Sequence, residues 1–300
     1  MITHPDAIQD AIVIGAGPAG LTAAIYLGRF RRRCLILEHG ESRARWIPTS
    51  HNIPGFAAGI GGEEFLSSLK KQALRYGAQL RHASVTHISM EDGLFCIRTA
   101  QGTYRSHFLL LATGVKDNLP TIEGASEAIL RSLMRCCPIC DAFEAIDKRI
   151  AVIGDGVLGE RGAGFLSDYS SEVTLLQVGS PRPGSDLRPA GGGGIERVMI
   201  ELSDLRLLED RVVLRSAAGD RSFDVIYLAL GCSFQNQLAR SLKARYEENG
   251  ALVVNAHQET TVPRLYAAGD VVRGLNQVVV AAAESAIAAT DIHNKLREQK

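Results

Sequence analysis

Residues 11–38 read AIVIGAGPAGLTAAIYLGRFRRRCLILE, and this stretch decides the fold. The run AIVIG is short, apolar and β-branched, which is typical of a buried parallel strand. The segment LTAAIYLGRF predicts a helix, and CLILE predicts a second strand that ends at Glu38. A strand, a glycine loop, a helix and a second strand in this order predict a βαβ unit.

The glycines of this loop have separate structural roles that together suit a bound dinucleotide. Gly15 permits a tight turn, Gly17 lets the backbone approach a pyrophosphate, and Gly20 lets the helix pack closely on the strand. The N-terminus of the helix faces the phosphates. Glu38 stands where a carboxylate accepts hydrogen bonds from a ribose diol. A glycine-rich turn without a ligand is the alternative, and the complete order of the unit disfavours it.

The C-terminal part of the chain indicates which dinucleotide this is. Residues 265–270 read LYAAGD, and an alanine-rich helix follows. A strand that ends in Gly-Asp allows Asp270 to contact a ribityl hydroxyl or a phosphate of a flavin. The dipole of the next helix favours negative charge on a reduced flavin. In isolation, the sequence AGD is also compatible with a plain turn at a strand end.

The composition limits the class of protein and its partners. A chain of 300 residues predicts two domains. The 33 basic and 33 acidic residues balance, which disfavours nucleic acid and anionic membranes as partners. The first ten residues lack the pattern of a signal peptide, and the apolar stretch 278–290 is too short to span a bilayer. We therefore expect a cytoplasmic protein with no membrane partner.

Residues 135–143 read RCCPICDAF and contain three of the six cysteines. A structural disulfide is unusual in a reducing compartment. A zinc site needs four ligands, and the other cysteines, Cys34, Cys96 and Cys232, are scattered. We therefore predict no metal site. An inert buried pair remains open, but Pro138 and the residues after it predict a helix start, where a thiol forms a thiolate more readily.

Six motifs follow one another in an order that resembles a known family. They are GAGPAG (15–20), NIPGF (52–56), LATG (111–114), CPICD (137–141), GDGVLG (154–159) and AAGD (267–270). The family is the low-molecular-weight thioredoxin reductases, FAD-dependent members of the pyridine nucleotide-disulfide oxidoreductase superfamily. The resemblance covers nearly the whole chain.

The resemblance implies an α/β fold with two Rossmann-like, three-layer ββα dinucleotide-binding domains, the second inserted in the first. The FAD-binding domain would comprise residues 1–116 and 236–300. Residues 117–235 would form an NAD(P)-binding-like domain that carries the C-x-x-C. The resemblance also implies a homodimer, and a thioredoxin-like protein or a small dithiol or disulfide as substrate. The implied FAD contacts are Gly15, Gly17, Pro18, Ala19, Gly20, Glu38, Asn52, Thr113, Gly114, Gly269, Asp270 and Gln277.

The resemblance also assigns roles around the C-x-x-C. We interpret Cys137 and Cys140 as a redox disulfide, because two cysteines three apart at a helix start close a small and reducible ring. By resemblance, Cys140 faces the flavin, Cys137 exchanges with the partner disulfide, and Asp141 handles the proton. Asp141 is equally compatible with a charge that the helix dipole stabilises. Cys136 has no counterpart in the family motif and is either an inert neighbour or a source of aberrant disulfides.

The second glycine loop departs from the family pattern. Members that use NADPH carry a His-Arg-Arg after the second strand of this unit, where arginine holds the 2′-phosphate. Here the corresponding residues, 177–184, read QVGSPRPG, with Arg182 as their basic residue and no acid for NADH. Gly162 and Gly164 are expected to weaken the helix, and the glycine run 191–194 is expected to be flexible. NADP(H) is therefore not favoured as electron donor, and ferredoxin or a second flavin is a candidate electron partner.

These observations predict an enzyme, an FAD-dependent thioredoxin-reductase-like dithiol/disulfide oxidoreductase that does not use NADPH efficiently. Three alternatives remain open. The chain could be an oxygen-dependent dithiol oxidase, or an NADPH thioredoxin reductase with altered contacts. It could also be a flavin-binding redox sensor without catalytic turnover.

Overall fold

The computed structural model describes residues 7–40, 42–178, 195–217, 219–272 and 274–298. Contacts within the chain divide it into two compact units. The first unit comprises residues 1–45, 62–116 and 233–300, and the second comprises residues 46–61 and 117–232. The breaks after residues 116 and 232 lie near the predicted domain boundaries, whereas the segment 46–61 groups with the second unit.

The secondary structure alternates between strands and helices along the chain. The strands are β1 (Gln9–Ile14), β2 (Cys34–Glu38), β3 (Gln79–His82), β4 (Val85–Glu91), β5 (Leu94–Thr99), β6 (Gly102–Leu111), β7 (Val115–Asp117), β8 (Met134–Arg135), β9 (Ile150–Gly154), β10 (Val173–Val178), β11 (Glu196–Ile200), β12 (Leu205–Leu207), β13 (Val212–Leu214), β14 (Arg221–Phe223), β15 (Val225–Ala229), β16 (Cys232–Phe234) and β17 (Leu265–Ala267). The helices are α1 (Pro18–Arg29), α2 (Gly62–Arg75), α3 (Ala125–Leu130), α4 (Pro138–Asp141), α5 (Gly156–Leu166), α6 (Gln237–Ser241) and α7 (Val278–Glu298). Short 3-10 turns are formed by Arg43–Trp46, Phe143–Ala145 and Leu202–Asp204.

The first unit is built on a sheet with the strand order β3-β2-β1-β6-β5-β4, in which β17 also pairs with β6. The pairs among β3, β2, β1, β6 and β17 are parallel, and β4, β5 and β6 pair in antiparallel fashion. In the centre, Ile12 lies opposite Leu35 on one side and Leu109 on the other. The predicted unit of strand, helix and strand therefore corresponds to β1, α1 and β2.

Alternate side chains of β1 enter two different cores of the first unit. Ala11 and Val13 pack in the cluster that contains residues of α1 and α7. Ile12 and Ile14 pack in the cluster that contains residues of β5 and of the segment around Leu252. Because successive side chains of a strand point to opposite faces, a strand covered on both faces is apolar throughout, as AIVI is.

The second unit has a five-stranded parallel sheet with the order β11-β10-β9-β15-β8. One of its two cores includes residues of α5, β15 and the segment after α4, with Tyr227 among them. The other core includes residues of α3 and of the small antiparallel sheet β12-β13-β14. The strands β7 and β16, at the points where the chain passes between the units, pair as a separate two-stranded sheet.

The helix predicted after the second glycine loop forms as α5, which contains Gly162 and Gly164. A Cβ at Gly162 would lie 3.3 Å from the Cβ of Ala229 on β15, so the small residue lets the helix approach the sheet. That these glycines weaken the helix stays a prediction. Residues 177–184 correspond to the family's contacts with the 2′-phosphate, and those from residue 179 onward lie outside the described residues. The glycine run 191–194 lies outside them as well.

None of the helices in the described part of the chain combines the length and the hydropathy that crossing a bilayer would require.

Candidate active site

The two cysteines of the C-x-x-C motif are joined in a disulfide at the start of α4. Cys137 and Cys140 are bonded through their sulfur atoms, and their Cα atoms are 5.3 Å apart. Cys137 precedes the helix with an extended backbone, and Pro138 lies in the first turn, where its missing N–H leaves no hydrogen bond unmade. The predicted helix start is confirmed, although α4 is a single turn. Both cysteines are partly exposed.

Two apolar side chains stand in solvent beside the disulfide. Ile139, between the cysteines, is 52% exposed, and Phe143, three residues after Cys140, is 73% exposed. Exposed large apolar side chains that cluster at a reactive group are typical of contact surfaces. The sequence analysis missed this feature, because exposure cannot be read from the local pattern.

Asp141 ends α4 in a partly buried pocket with Arg135 and Tyr227. The Nη1 of Arg135 donates to the Asp141 carbonyl oxygen at 2.7 Å, and the Tyr227 hydroxyl donates to the same oxygen at 3.0 Å. The Arg135 Nε lies 3.9 Å from Oδ2 of the Asp141 carboxylate. Burial raises the pKa of Asp141 to about 6, although Arg135 and Tyr227 lower it, and nearby Glu144 raises it further. The carboxyl is therefore able to exchange a proton close to neutral pH.

The remaining cysteines differ in their surroundings. Cys34 and Cys96 are buried, and burial raises the pKa of the Cys34 thiol to about 12. Burial likewise raises the pKa of Cys96. Protonated, enclosed thiols react slowly, which fits core packing. Cys136 and Cys232 are partly exposed. No group of three or more His, Cys, Asp or Glu side chains is arranged to hold a metal ion among the described residues.

The first glycine loop runs from the end of β1 into α1 with very close backbone contacts. A Cβ at Gly20 would lie 1.9 Å from the Gly15 carbonyl oxygen, so only glycine lets α1 pack onto the strand there. Gly15 has a φ of +108°, and a Cβ on it would lie 2.3 Å from the carbonyl oxygen of Ala112. Gly17 caps α1, with Pro18 and Ala19 following in its first turn. This geometry leaves free N–H groups at the helix N-terminus, which suits a pyrophosphate.

Glu38 ends β2, as predicted for a carboxylate that receives a ribose. Its Oε1 lies 3.4 Å from Nζ of Lys70 on α2. The two oxygens of a carboxylate can accept hydrogen bonds from both hydroxyls of a diol. Lys70 was not identified from the sequence, since it belongs to a helix without a recognisable motif.

Gly269 and Asp270 follow β17 and lie against the start of α1. Gly269 has a φ of +79°, and a Cβ on it would lie 2.9 Å from that of Ala19. Its N–H donates to Oε2 of Glu284 on α7 at 2.7 Å, and burial raises the pKa of Glu284. Asp270 pairs with Arg43, whose Nη1 lies 3.1 Å from Oδ2. The sequence analysis missed Arg43 and Glu284.

The other predicted contacts occupy three places. Thr113 and Gly114 follow β6, where the Thr113 hydroxyl donates to the Gln235 carbonyl at 2.6 Å. The backbone nitrogen of Thr113 would lie 3.5 Å from a Cβ on Gly15, so it borders the glycine loop. Gln277 is buried directly before α7. Asn52 belongs to the segment 46–61 of the second unit, where its Oδ1 accepts a hydrogen bond from Ser50 at 2.9 Å.

The second glycine loop packs as closely as the first but ends differently. A Cβ at Gly154 would lie 2.8 Å from the Cα of Gly159. Asp155 caps α5, and its Oδ1 accepts a hydrogen bond from the N–H of Gly156 at 2.7 Å. The Asp155 carboxylate therefore accepts the hydrogen bond of an N–H group that a pyrophosphate would use. The negative charge of this carboxylate also repels phosphate.

The chain matches one family model over most of its length. Residues 9–285 match the model described as pyridine nucleotide-disulphide oxidoreductase. The chain belongs to the pyridine nucleotide-disulphide oxidoreductase family.

Individual members of the family are similar over nearly the whole chain. A thioredoxin reductase of Treponema pallidum is 30% identical and is covered to 94%, with 93% of this chain aligned. A crystal structure titled HlmI is 25% identical with a TM-score of 0.89, and the alignment covers 99% of this chain and 95% of that chain. The structure of a thioredoxin reductase from Streptococcus pyogenes, at 22% identity and a TM-score of 0.86, covers 98% and 99% and shares the fold.

These likenesses confirm several predictions from the sequence. The chain is a thioredoxin-reductase-like member of a family of flavin-dependent disulfide oxidoreductases. Its α/β fold with two Rossmann-like units is confirmed by the parallel sheets and by the structural neighbours. The roles of single residues, the domain boundaries and the electron donor stay predictions.

Proposed function

We propose that this chain is an FAD-dependent, thioredoxin-reductase-like dithiol/disulfide oxidoreductase that uses NADPH poorly. The observation that carries the proposal is the Cys137–Cys140 bond at the start of α4, directly before the partly buried Asp141. A reducible disulfide beside a carboxyl that titrates near neutral pH suits thiol–disulfide exchange.

The first unit has the features that FAD requires. Close glycine packing leaves the α1 N-terminus open to a pyrophosphate, and Glu38 is placed for a ribose. Asp270 and Arg43 form an ion pair within the same unit, and Arg43 offers a guanidinium to a phosphate. When bound, FAD would accept or supply an electron pair. We propose the contacts predicted from the sequence as its binding residues, with Arg43 in addition.

The exchange itself is performed by the residues of the second unit. An incoming thiolate attacks the sulfur of Cys137 and forms a mixed disulfide, and the bond to Cys140 breaks. The sulfur of Cys140 leaves as a thiolate. The Asp141 carboxyl supplies or removes the proton that accompanies this step. The second thiolate of the substrate then attacks the substrate sulfur of the mixed disulfide, and the bond to Cys137 breaks. The substrate leaves as a disulfide, and Cys137 and Cys140 are left as thiols. The exposed Ile139 and Phe143 offer an apolar contact to the substrate, either a thioredoxin-like protein or a small dithiol or disulfide.

The weak use of NADPH rests on the second glycine loop. The Asp155 carboxylate accepts the Gly156 N–H, and it places negative charge where a phosphate would bind. Up to Val178, where β10 and this stretch of described residues end, the strand carries neither an acid for a ribose nor a base for a 2′-phosphate. We therefore propose ferredoxin or a second flavin as the electron partner. By likeness to the family, we further propose a homodimer that works in the cytoplasm.

The Cys140→Ser variant tests the proposed chemistry. We expect it to lose disulfide turnover, at least 100-fold as an order of magnitude, because the sulfur that forms the redox disulfide with Cys137 and leaves in the exchange is absent, while it retains its yellow flavin. Turnover is measured with a dithiol and a disulfide substrate, and bound flavin by absorbance. Cys136→Ser is the matched control, since Cys136 stands outside the disulfide, and it should stay active. Full turnover in Cys140→Ser would refute the proposal.

An oxygen-dependent dithiol oxidase is the second candidate. The carboxylate at the α5 N-terminus favours it, because electrons that cannot enter from a nicotinamide would enter from a dithiol. Supplying a dithiol in air should then yield one peroxide for each disulfide formed, measured with a peroxidase-coupled dye. Dithiol consumption without peroxide would exclude this candidate.

A further inference from the structure

Three residues from separate elements meet at the C-terminal end of α4, the helix that starts with the disulfide. Arg135 ends β8, Tyr227 lies within β15, and Asp141 ends α4. The pairing of β8 with β15 sets Arg135 directly opposite Tyr227. Arg135 is 8% exposed and Tyr227 is 1% exposed, so this pair is enclosed within the second unit.

The guanidinium of Arg135 donates hydrogen bonds to three acceptors and forms one ion pair. Its Nε donates to the Ser132 carbonyl at 3.1 Å, and its Nη1 donates to the Tyr227 hydroxyl at 3.1 Å and to the Asp141 carbonyl at 2.7 Å. The ion-pair partner is the Asp141 carboxylate, with Oδ2 at 3.9 Å from Nε. An arginine stays charged in proteins, and a buried charge requires a compensating partner. The carboxylate supplies that partner, whereas the carbonyls contribute only dipoles.

The Asp141 carboxyl is only half engaged by these contacts. Within the described part of the chain, its Oδ1 is buried and has no hydrogen-bond partner. An ionised carboxylate with an unpartnered buried oxygen is costly, whereas the neutral carboxylic acid tolerates the same place. The pocket therefore supports both forms, with the guanidinium favouring the anion and burial favouring the acid.

We propose that Arg135 and Tyr227 are positioning residues that hold the Asp141 carboxyl beside the Cys137–Cys140 disulfide and set the pH at which it exchanges its proton. This inference rests on the proposed disulfide exchange and deepens it. When an incoming thiolate opens the bond, the leaving sulfur takes the proton of Asp141, and the new carboxylate is stabilised by the Arg135 guanidinium. In the reverse direction, the same carboxylate takes the proton from the attacking thiol.

The charged and titratable groups around Asp141 give the direction of each effect. Burial raises its pKa to about 6, Arg135 and the Tyr227 hydroxyl lower it, and Glu144 raises it. Burial also raises the pKa of Tyr227, so its hydroxyl stays neutral and acts as a donor. Removal of the guanidinium should therefore move the titration of Asp141 to higher pH, and removal of the hydroxyl should move it less.

The test is the pH profile of disulfide turnover in the holoenzyme, with dithiothreitol as the thiol. Dividing each variant rate by the wild-type rate at the same pH cancels the ionisation of the reagent. One limb of the pH profile, the change in rate that follows the titration of Asp141, should move in Arg135→Met to higher pH by about 1 unit. Tyr227→Phe, which keeps the ring in the core, should shift it upward by less, and Arg135→Lys should restore most of the wild-type position. Asp141→Asn should lack this limb altogether.

The variants also distinguish a failure of the positioning role from a failure of the proposed exchange chemistry. If Arg135→Met does not fold, Tyr227→Phe carries the test, because it removes a single hydroxyl. An unmoved limb in every folded variant, together with an inactive Cys140→Ser, would overturn the positioning role alone. An active Cys140→Ser would instead overturn the exchange chemistry on which this inference rests.

Discussion

At the scale of single residues, Asp141 shows how burial gives chemical use to an ordinary carboxyl. It lies next to Cys140 in the sequence, and its raised pKa comes first from burial and then from the balance between Arg135 and Glu144. An acid near pH 6 donates a proton and accepts one with similar ease at neutral pH. The burial that raises the pKa of Asp141 also destabilises its ionised form, and this lowers the free energy of unfolding when the carboxyl is ionised.

This cost makes stability depend on pH. The folded state holds the proton of Asp141 up to about pH 6, whereas the ordinary pKa of an aspartate, as in the unfolded chain, is 3.8. Stability from this group is therefore full below the unfolded value and is lost as the pH rises through the folded one. Asp141→Asn should be more stable than the wild type at pH 8, by about 2–3 kcal/mol, and equal at pH 4. Thermal unfolding of the oxidised proteins at both pH values measures it, and a variant less stable at pH 8 would contradict the expectation.

At the scale of elements, the first βαβ unit depends on the contact between Gly20 and Gly15. A Cβ at residue 20 would overlap the carbonyl oxygen of Gly15, which belongs to the backbone and cannot turn away. The helix α1 would have to lift from β1. The cores on both faces of that strand, and the loop that we propose for the pyrophosphate, would be displaced together.

Gly20→Ala should therefore lower the melting temperature and release the flavin. We expect a loss of about 3 kcal/mol or more, as for overpacking in a rigid core. Gly93→Ala is the control for the steric overlap, since a Cβ at Gly93 would meet open space; its φ of +75° adds a backbone cost that Gly20 does not have. Absorbance of bound flavin and thermal unfolding follow both variants. A Gly20→Ala protein that binds flavin as the wild type does would show that the loop has another function.

Local patterns predicted β1, α1, β2 and the start of α4, because each is encoded by neighbours in the sequence. The pocket of Asp141 could not be predicted in this way. Arg135 is a charged residue that looks exposed in the sequence, and Tyr227 follows 92 positions later. Their meeting depends on the pairing of β8 with β15. The ion pair of Arg43 with Asp270 spans 227 positions and was missed for the same reason.

The helix predicted after the second glycine loop forms as α5, and the place of Gly162 against Ala229 on β15 was not predicted. The segment 46–61 carries the predicted flavin contact Asn52, and it groups with the second unit. Long-range contacts of this kind have no signature in a single sequence.

At the scale of the whole molecule, the proposal divides the chemistry between the two units. The first unit offers a dinucleotide loop with intact glycine packing and a carboxylate at the end of β2. The second unit carries the disulfide, and its own glycine loop is capped by the Asp155 carboxylate. Electrons are thus expected to pass between a thiol pair and a flavin, with the nicotinamide route weakened.

Anaerobic reduction of the purified protein tests this division most directly. The yellow absorbance is followed after mixing with dithiothreitol, NADPH or NADH in separate cuvettes. The account predicts that the dithiol bleaches the wild type but not Cys140→Ser, and that NADPH and NADH act at least tenfold more slowly, a difference of about 1.4 kcal/mol in barrier. Rapid bleaching by NADPH, with none by the dithiol, would contradict it.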